Sequence, residues 1–183
     1  MRFILHYQGP LKSNGSLEHK HRIRTHFHSQ LKTLWRCPPL NGHPNLLSPR
    51  TEGRASSLRN VGPHTFAPVV TEELRLVAEV GVTMLRPQAP GGLITQGGDI
   101  DNRLKTLFDA LRMPKEGELP KDFQPPPEGE PFLCVLEDDS QIIAVSVRAE
   151  QLLDSSINQS DVILLLAVET KALAALWGNA GLG

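Results

Sequence analysis

Leu74, Leu76, Ala78, Val80 and Val82 occupy every second position within residues 73–85. A two-residue apolar period turns one face of an extended strand toward a core and the other toward solvent. The chain also carries the helical period. Ile23, Phe27, Leu31, Leu34 and Trp35 recur within residues 17–35, and Leu104, Leu107, Phe108 and Leu111 within residues 102–112. Each set forms one stripe along an α-helix. Short β-prone runs at 1–7, 65–70, 132–136, 142–148 and 161–169 read as further strands, and residues 171–177 as a short terminal helix. This order of elements predicts an α+β fold, a mixed β-sheet with two main helices. A chain of 183 residues can bury one real core but is short for two. Residues 1–183 are therefore expected to form a single domain.

The segments between these elements are long. Residues 37–63 are rich in Pro, Gly, Ser and Asn and show no period, so they read as a long loop or mobile arm. Residues 113–131 contain six prolines and read as an insertion loop. The Gly-rich C-terminus is expected to fray. No apolar run is long enough for a membrane span, and the N-terminus lacks the apolar region of a secretory signal. The two cysteines, Cys37 and Cys134, form no CxxC pair, which fits a reduced cytoplasmic protein.

Charge is divided along the chain. Residues 1–70 hold ten basic residues against two acids, Glu18 and Glu52, whereas residues 71–183 hold nine against eighteen. Such a split fits a basic surface for a polyanion beside an acidic region that could hold metal. It equally fits two surfaces that neutralise each other within one domain. Lys20, Arg22, Arg24, Lys32 and Arg36 are read as lying off the apolar stripe of the first helix, where they could hold phosphates without reading base sequence. His19 and His26 are seven apart, as are His21 and His28, which is not the usual spacing of zinc ligands on a helix.

Two acidic motifs carry the chemistry. Asp99 and Asp101 stand two apart just before the second helix. In an extended segment both carboxylates would face one side, and their repulsion is relieved by a divalent cation. Asp101 or Asn102 could also cap the helix. Lys105 follows one turn later, beside the carboxylates rather than in the apolar stripe. A helix cap with a surface ion pair would give the same pattern. The second motif, Glu137-Asp138-Asp139, precedes the strand read at 142–148. Three adjacent acids can form a solvated turn or complete a cation site.

Taken together, these residues resemble the RusA family of Holliday junction resolvases. Asp99-Ile100-Asp101-Asn102-Arg103-Leu104-Lys105 is similar to the family's D-x-D-N-x-x-K, Phe108-Asp109-Ala110-Leu111 to its x-D-A-L, and Asp138-Asp139-Ser140-Gln141-Ile142 to its D-D-x-Q-V. The resemblance implies a RusA-like fold and a Mg²⁺-dependent endodeoxyribonuclease acting on branched DNA as a homodimer in a bacterial or phage cytoplasm. It implies one or two Mg²⁺ on Asp99, Asp101 and Asp139, with Lys105 as the essential lysine. Asn102, Glu137 and Asp138 would stand behind these ligands. The match spans about residues 99–147, and the loops at 37–63 and 113–131 are longer than the family's. The alternative is a RusA-like protein that holds branched DNA without efficient cleavage. A DxD glycosyltransferase needs a nucleotide-sugar domain, which suits this length poorly. The carboxylates of Asp99, Asp101 and Asp139 are expected to converge, with Asp138 pointing elsewhere.

Overall fold

The longest strand organises the molecule. The computed structural model describes residues 1–87, 100–154 and 156–183. In chain order the elements are β1 (Arg2–Pro10), α1 (Leu17–Leu34), β2 (Arg59–Val61), β3 (His64–Val70), β4 (Leu76–Arg86), α2 (Ile100–Leu111), β5 (Phe132–Leu136), β6 (Ile142–Gln151) and β7 (Asp161–Ala172). Val162, Leu164, Leu166 and Val168 of β7 are all fully buried, as strict alternation requires. β7 pairs antiparallel with β1 on one side and with β4 on the other. β6 adds to the far edge of β4 in parallel, giving a mixed sheet in the order β1-β7-β4-β6. A second, three-stranded sheet has the order β2-β3-β5, with β3 and β5 parallel. Pro68 is tolerated in β3 because β2 stops pairing at Phe66, so the proline's missing N–H removes no bond on that side.

The molecule is thus an α+β domain with two mixed sheets and two main helices. Both helices pack on the core-facing side of the larger sheet. Ser16 caps α1 by accepting from the His19 N–H at 3.3 Å. Ile23, Phe27 and Leu31 of α1 and Leu107, Ala110 and Leu111 of α2 enter one core with β1, β4 and β7. No helix among the described residues is long and apolar enough to cross a membrane.

Several boundaries differ from expectation. The turn before β4 holds Arg75 at φ 51°, so the strand starts at Leu76 rather than at residue 73. Residues 171–177 do not form a helix. Lys171 and Ala172 pair with Val77 and Leu76, and the ladder carries β7 to its end; a 3-10 turn follows at Trp177–Asn179. The C-terminus is anchored rather than frayed, since Leu182 is fully buried and its carbonyl accepts from the Met1 amino group at 3.2 Å. Residues 37–63 are not a free arm. Two 3-10 turns, Leu40–Gly42 and Pro44–Leu47, place Leu40 and Leu46 in the core, and β2 is too short to show a period.

A buried arginine pair fixes α2. Arg24 of α1, only 3% exposed, donates to the carbonyls of Asp109 at 2.7 Å and Arg112 at 3.0 Å. These belong to the C-terminal end of α2, where carbonyls lack intrahelical partners and a cation is favoured. Arg112 makes a two-pronged contact with Glu118, at 2.7 and 3.0 Å, and reaches Asp109 at 3.1 Å. Lys20 closes the cluster on Asp109 at 2.7 Å.

Two outcomes follow from this packing. Leu107 is fully buried in the core; Leu107→Ala should cost about 2–5 kcal/mol in denaturant unfolding. The Arg112 hydrogen bonds hold the Glu118 carboxyl down at about 2, well below its ordinary 4.5. A carboxyl depressed in the folded state stabilises fully above 4.5 and loses that contribution as pH falls toward 2. Glu118→Gln should therefore lower Tm at neutral pH and flatten the fall of Tm across this acidic window, as read by thermal melts.

Candidate functional site

On α2, Asp101, Lys105 and Arg112 fall within about 40° of one another at 100° per residue, so they share one stripe of the helix. Asp101 and Lys105 are exposed, whereas Arg112 is buried at the far end. Asn102 is half-buried. The opposite flank faces the β1–α1 turn. There Arg103 donates to the Leu11 carbonyl, and Thr106 accepts from the Gly15 N–H at 3.0 Å. Asp99 lies outside the described residues.

The second acidic motif owes its shape to local hydrogen bonds. Asp138 caps the 3-10 turn Asp139–Gln141 by accepting from the Ser140 N–H at 3.0 Å. The Gln141 side chain closes the turn by accepting from the N–H groups of Glu137 and Asp138. A D-D-x-Q sequence is what such a closed turn needs. The Ser140 hydrogen bonds, with Lys115 at 3.3 Å, hold the Asp138 carboxyl at about 2. Glu137 accepts from Arg59 at 2.6 Å and from the Glu72 N–H at 2.9 Å. Asp139 faces Arg112, whose Nε stands 4.0 Å from its Oδ1 without a hydrogen bond.

Asp138 and Asp139 thus face different cations, Lys115 and Arg112. Asp139 sits beside the guanidinium of Arg112, the residue that follows α2. Among the described residues no three His, Cys, Asp or Glu side chains are placed to hold a metal ion. A cavity of about 760 Å³ opens beside the second motif, on its Glu137 and Asp138 side, with Arg75, Lys115 and Glu116 in its wall. Lys115 and Arg75 were not singled out from sequence. Neither belongs to a motif or an apolar period.

The five cations assigned to phosphate binding divide. Arg24 is in the interior, not on the surface, because the α2 carbonyls need it there. Lys20 is paired with Asp109, and Lys32 with Glu130 at 2.6 Å. Arg22 and Arg36 are exposed. The histidines serve packing. His28 stacks on Phe132 at 4.4 Å and accepts from the Leu133 N–H at 2.9 Å. His21 rests on Phe123 and Phe132, and burial pulls its pKa to about 4, so it is neutral at neutral pH.

Compared with known proteins, the chain matches no described family, and no curated protein or solved structure shows significant similarity to it.

Proposed function

We propose that the chain is an endodeoxyribonuclease that hydrolyses DNA phosphodiesters with Mg²⁺, acting on branched DNA as a homodimer in a bacterial or phage cytoplasm. The observation that carries this reading is the pairing of Asp101 and Lys105 on one exposed stripe of α2, one turn apart, within the D-x-D-N-x-x-K sequence. Asp101 supplies a hard oxygen ligand for Mg²⁺, and Asp99 stands two residues before it in sequence. The cation would supply an activated water and neutralise phosphate charge. Lys105 cannot ligate a cation. Its ammonium would stabilise the negative charge that develops on the phosphoryl oxygens.

One observation favours a second reading, a branched-DNA-binding protein without efficient cleavage. Asp139 faces the Arg112 guanidinium at 4.0 Å, a cation that competes with a metal ion for its carboxylate. The two readings part on the same assay. For the nuclease, Asp101→Asn and Lys105→Ala should each lower Mg²⁺-dependent cleavage of a labelled four-way junction by about 100-fold or more, with Tm unchanged because both residues are exposed. Asp139→Asn should do the same if its carboxylate joins the site on DNA. Wild-type protein that binds the junction yet leaves it uncut in Mg²⁺ would establish the second reading in place of the first.

A further inference from the structure

The inner face of β4 ends in a charge. Val80, Val82 and Met84 point into the core, and the same alternation turns Arg86 inward at the end of the strand. Arg86 is only 9% exposed, and its Nε has no hydrogen-bond partner. A buried guanidinium N–H without an acceptor is costly, so its persistence at one spot needs a compensating group. Arg86 lines a cavity of about 480 Å³ together with Lys12, Ser13, Arg103, Gln159 and Ser160. Three cations thus share one pocket. Among the described residues none of the three forms an ion pair, and the neighbouring Asp161 is no exception.

The walls are held in place by the fold. The Tyr7 hydroxyl donates to the Pro10 carbonyl at 2.9 Å, the Lys12 N–H donates to His19 Nε2 at 3.2 Å, and Arg103 donates to the Leu11 carbonyl. The first turn of α2, which carries Arg103, adds the positive end of a helix dipole. Burial and the nearby charge of Arg103 both pull the Arg86 pKa down, as expected for two cations close together. Preorganised donors of one sign, with an open mouth, suit a tetrahedral oxyanion.

We propose that the Lys12–Arg86–Arg103 pocket binds a backbone phosphate of a DNA strand, holding the strand against the flank of α2 opposite Asp101 and Lys105. This deepens the reading of the chain as a DNA-acting protein and rests on it. The pocket supplies what the acidic stripe cannot, since Asp101 by itself repels phosphate. A free phosphate ion offers the same chemistry, and the test separates the two sources.

The experiment measures binding of a labelled four-way junction and a duplex in EDTA, so cleavage does not enter. The proteins are the wild-type chain, Lys12→Gln, Arg103→Gln, Arg86→Gln and, as a control, Lys121→Gln in the exposed loop. Each pocket variant should weaken DNA binding by about tenfold and reduce the slope of log K against log salt by about one unit per lost contact. The control should leave both unchanged. Should Arg86→Gln melt early, Lys12→Gln, at an exposed residue, decides the matter. Pocket variants that bind DNA with wild-type affinity and salt slope overturn the proposal, even where wild type cuts junctions in Mg²⁺. So does a rise in Tm with inorganic phosphate that depends on Arg86 while DNA binding is untouched, which would mark a site for free anion only. Wild type that binds no DNA removes both this proposal and the reading beneath it.

Discussion

The geometry of α2 depends on one burial, that of the Arg24 guanidinium between the two helices. An unpaired buried charge costs several kcal/mol, so Arg24 stays only where acceptors meet it. The acceptors are carbonyls at the C-terminal end of α2, which have no partners of their own. The Arg24 Nε and one of its terminal nitrogens meet those carbonyls in one register of α2 along α1. Sliding the helix by a turn would strand both. Arg112 extends the lock outward through Glu118, which belongs to the proline-rich segment, so the long loop after α2 is tied to the same point. The position of Asp101, Lys105 and Arg103 at the other end of the helix follows from that anchor.

Much of this was legible from periods alone. The stripes of α1 and α2 and the alternation of β4 gave the elements and the core, because burial enforces them residue by residue. Arg24 was read as a surface cation by residue type, yet its angle tells otherwise. At 100° per residue it falls between Leu31 and Trp35, inside the apolar stripe, and Lys20 falls between Phe27 and Leu31. Arg22, Lys32 and Arg36 fall on the opposite side. Angle outranks residue type here because an unpaired helix end was waiting in the core. That partner lies about ninety residues away in sequence, and no local pattern reports it. β2 and the end of β7 were missed for a related reason, since a three-residue strand has no period and the last pairs of β7 exist only because β4 lies beside them.

The placement of the second acidic turn shows where motif reading stops. Motif order along the chain says nothing about the direction in which the intervening strand runs. β5 lies parallel to β3 and ends beside Arg112, where Met113 donates to the Leu136 carbonyl at 2.8 Å. The chain therefore delivers the second acidic turn beside Arg112. Residues 113–131 span the distance that lets β5 enter this way. The turn itself is fully explained by sequence, through Asp138 and Gln141, while its placement is a property of the sheet.

The divided charge of the chain resolves in the same manner. Lys20 with Asp109, Lys32 with Glu130, Arg50 with Glu73, and Arg59 with Glu137 each join a cation from the first seventy residues to an acid from the remainder. Much of the asymmetry is thus internal pairing that holds the first half of the chain against the second. The more exposed of these pairs, such as Lys32 with Glu130, contribute little stability each, but all of them remove cations from the set open to a polyanion. What remains is not spread evenly along α1. Arg22 and Arg36 stand on its outer side, while Lys12 of the β1–α1 turn, Arg86 of β4 and Arg103 of α2 line one cavity. A field that gathers a phosphate arises from cations left unpaired at one place, and folding rather than composition decides where that place is.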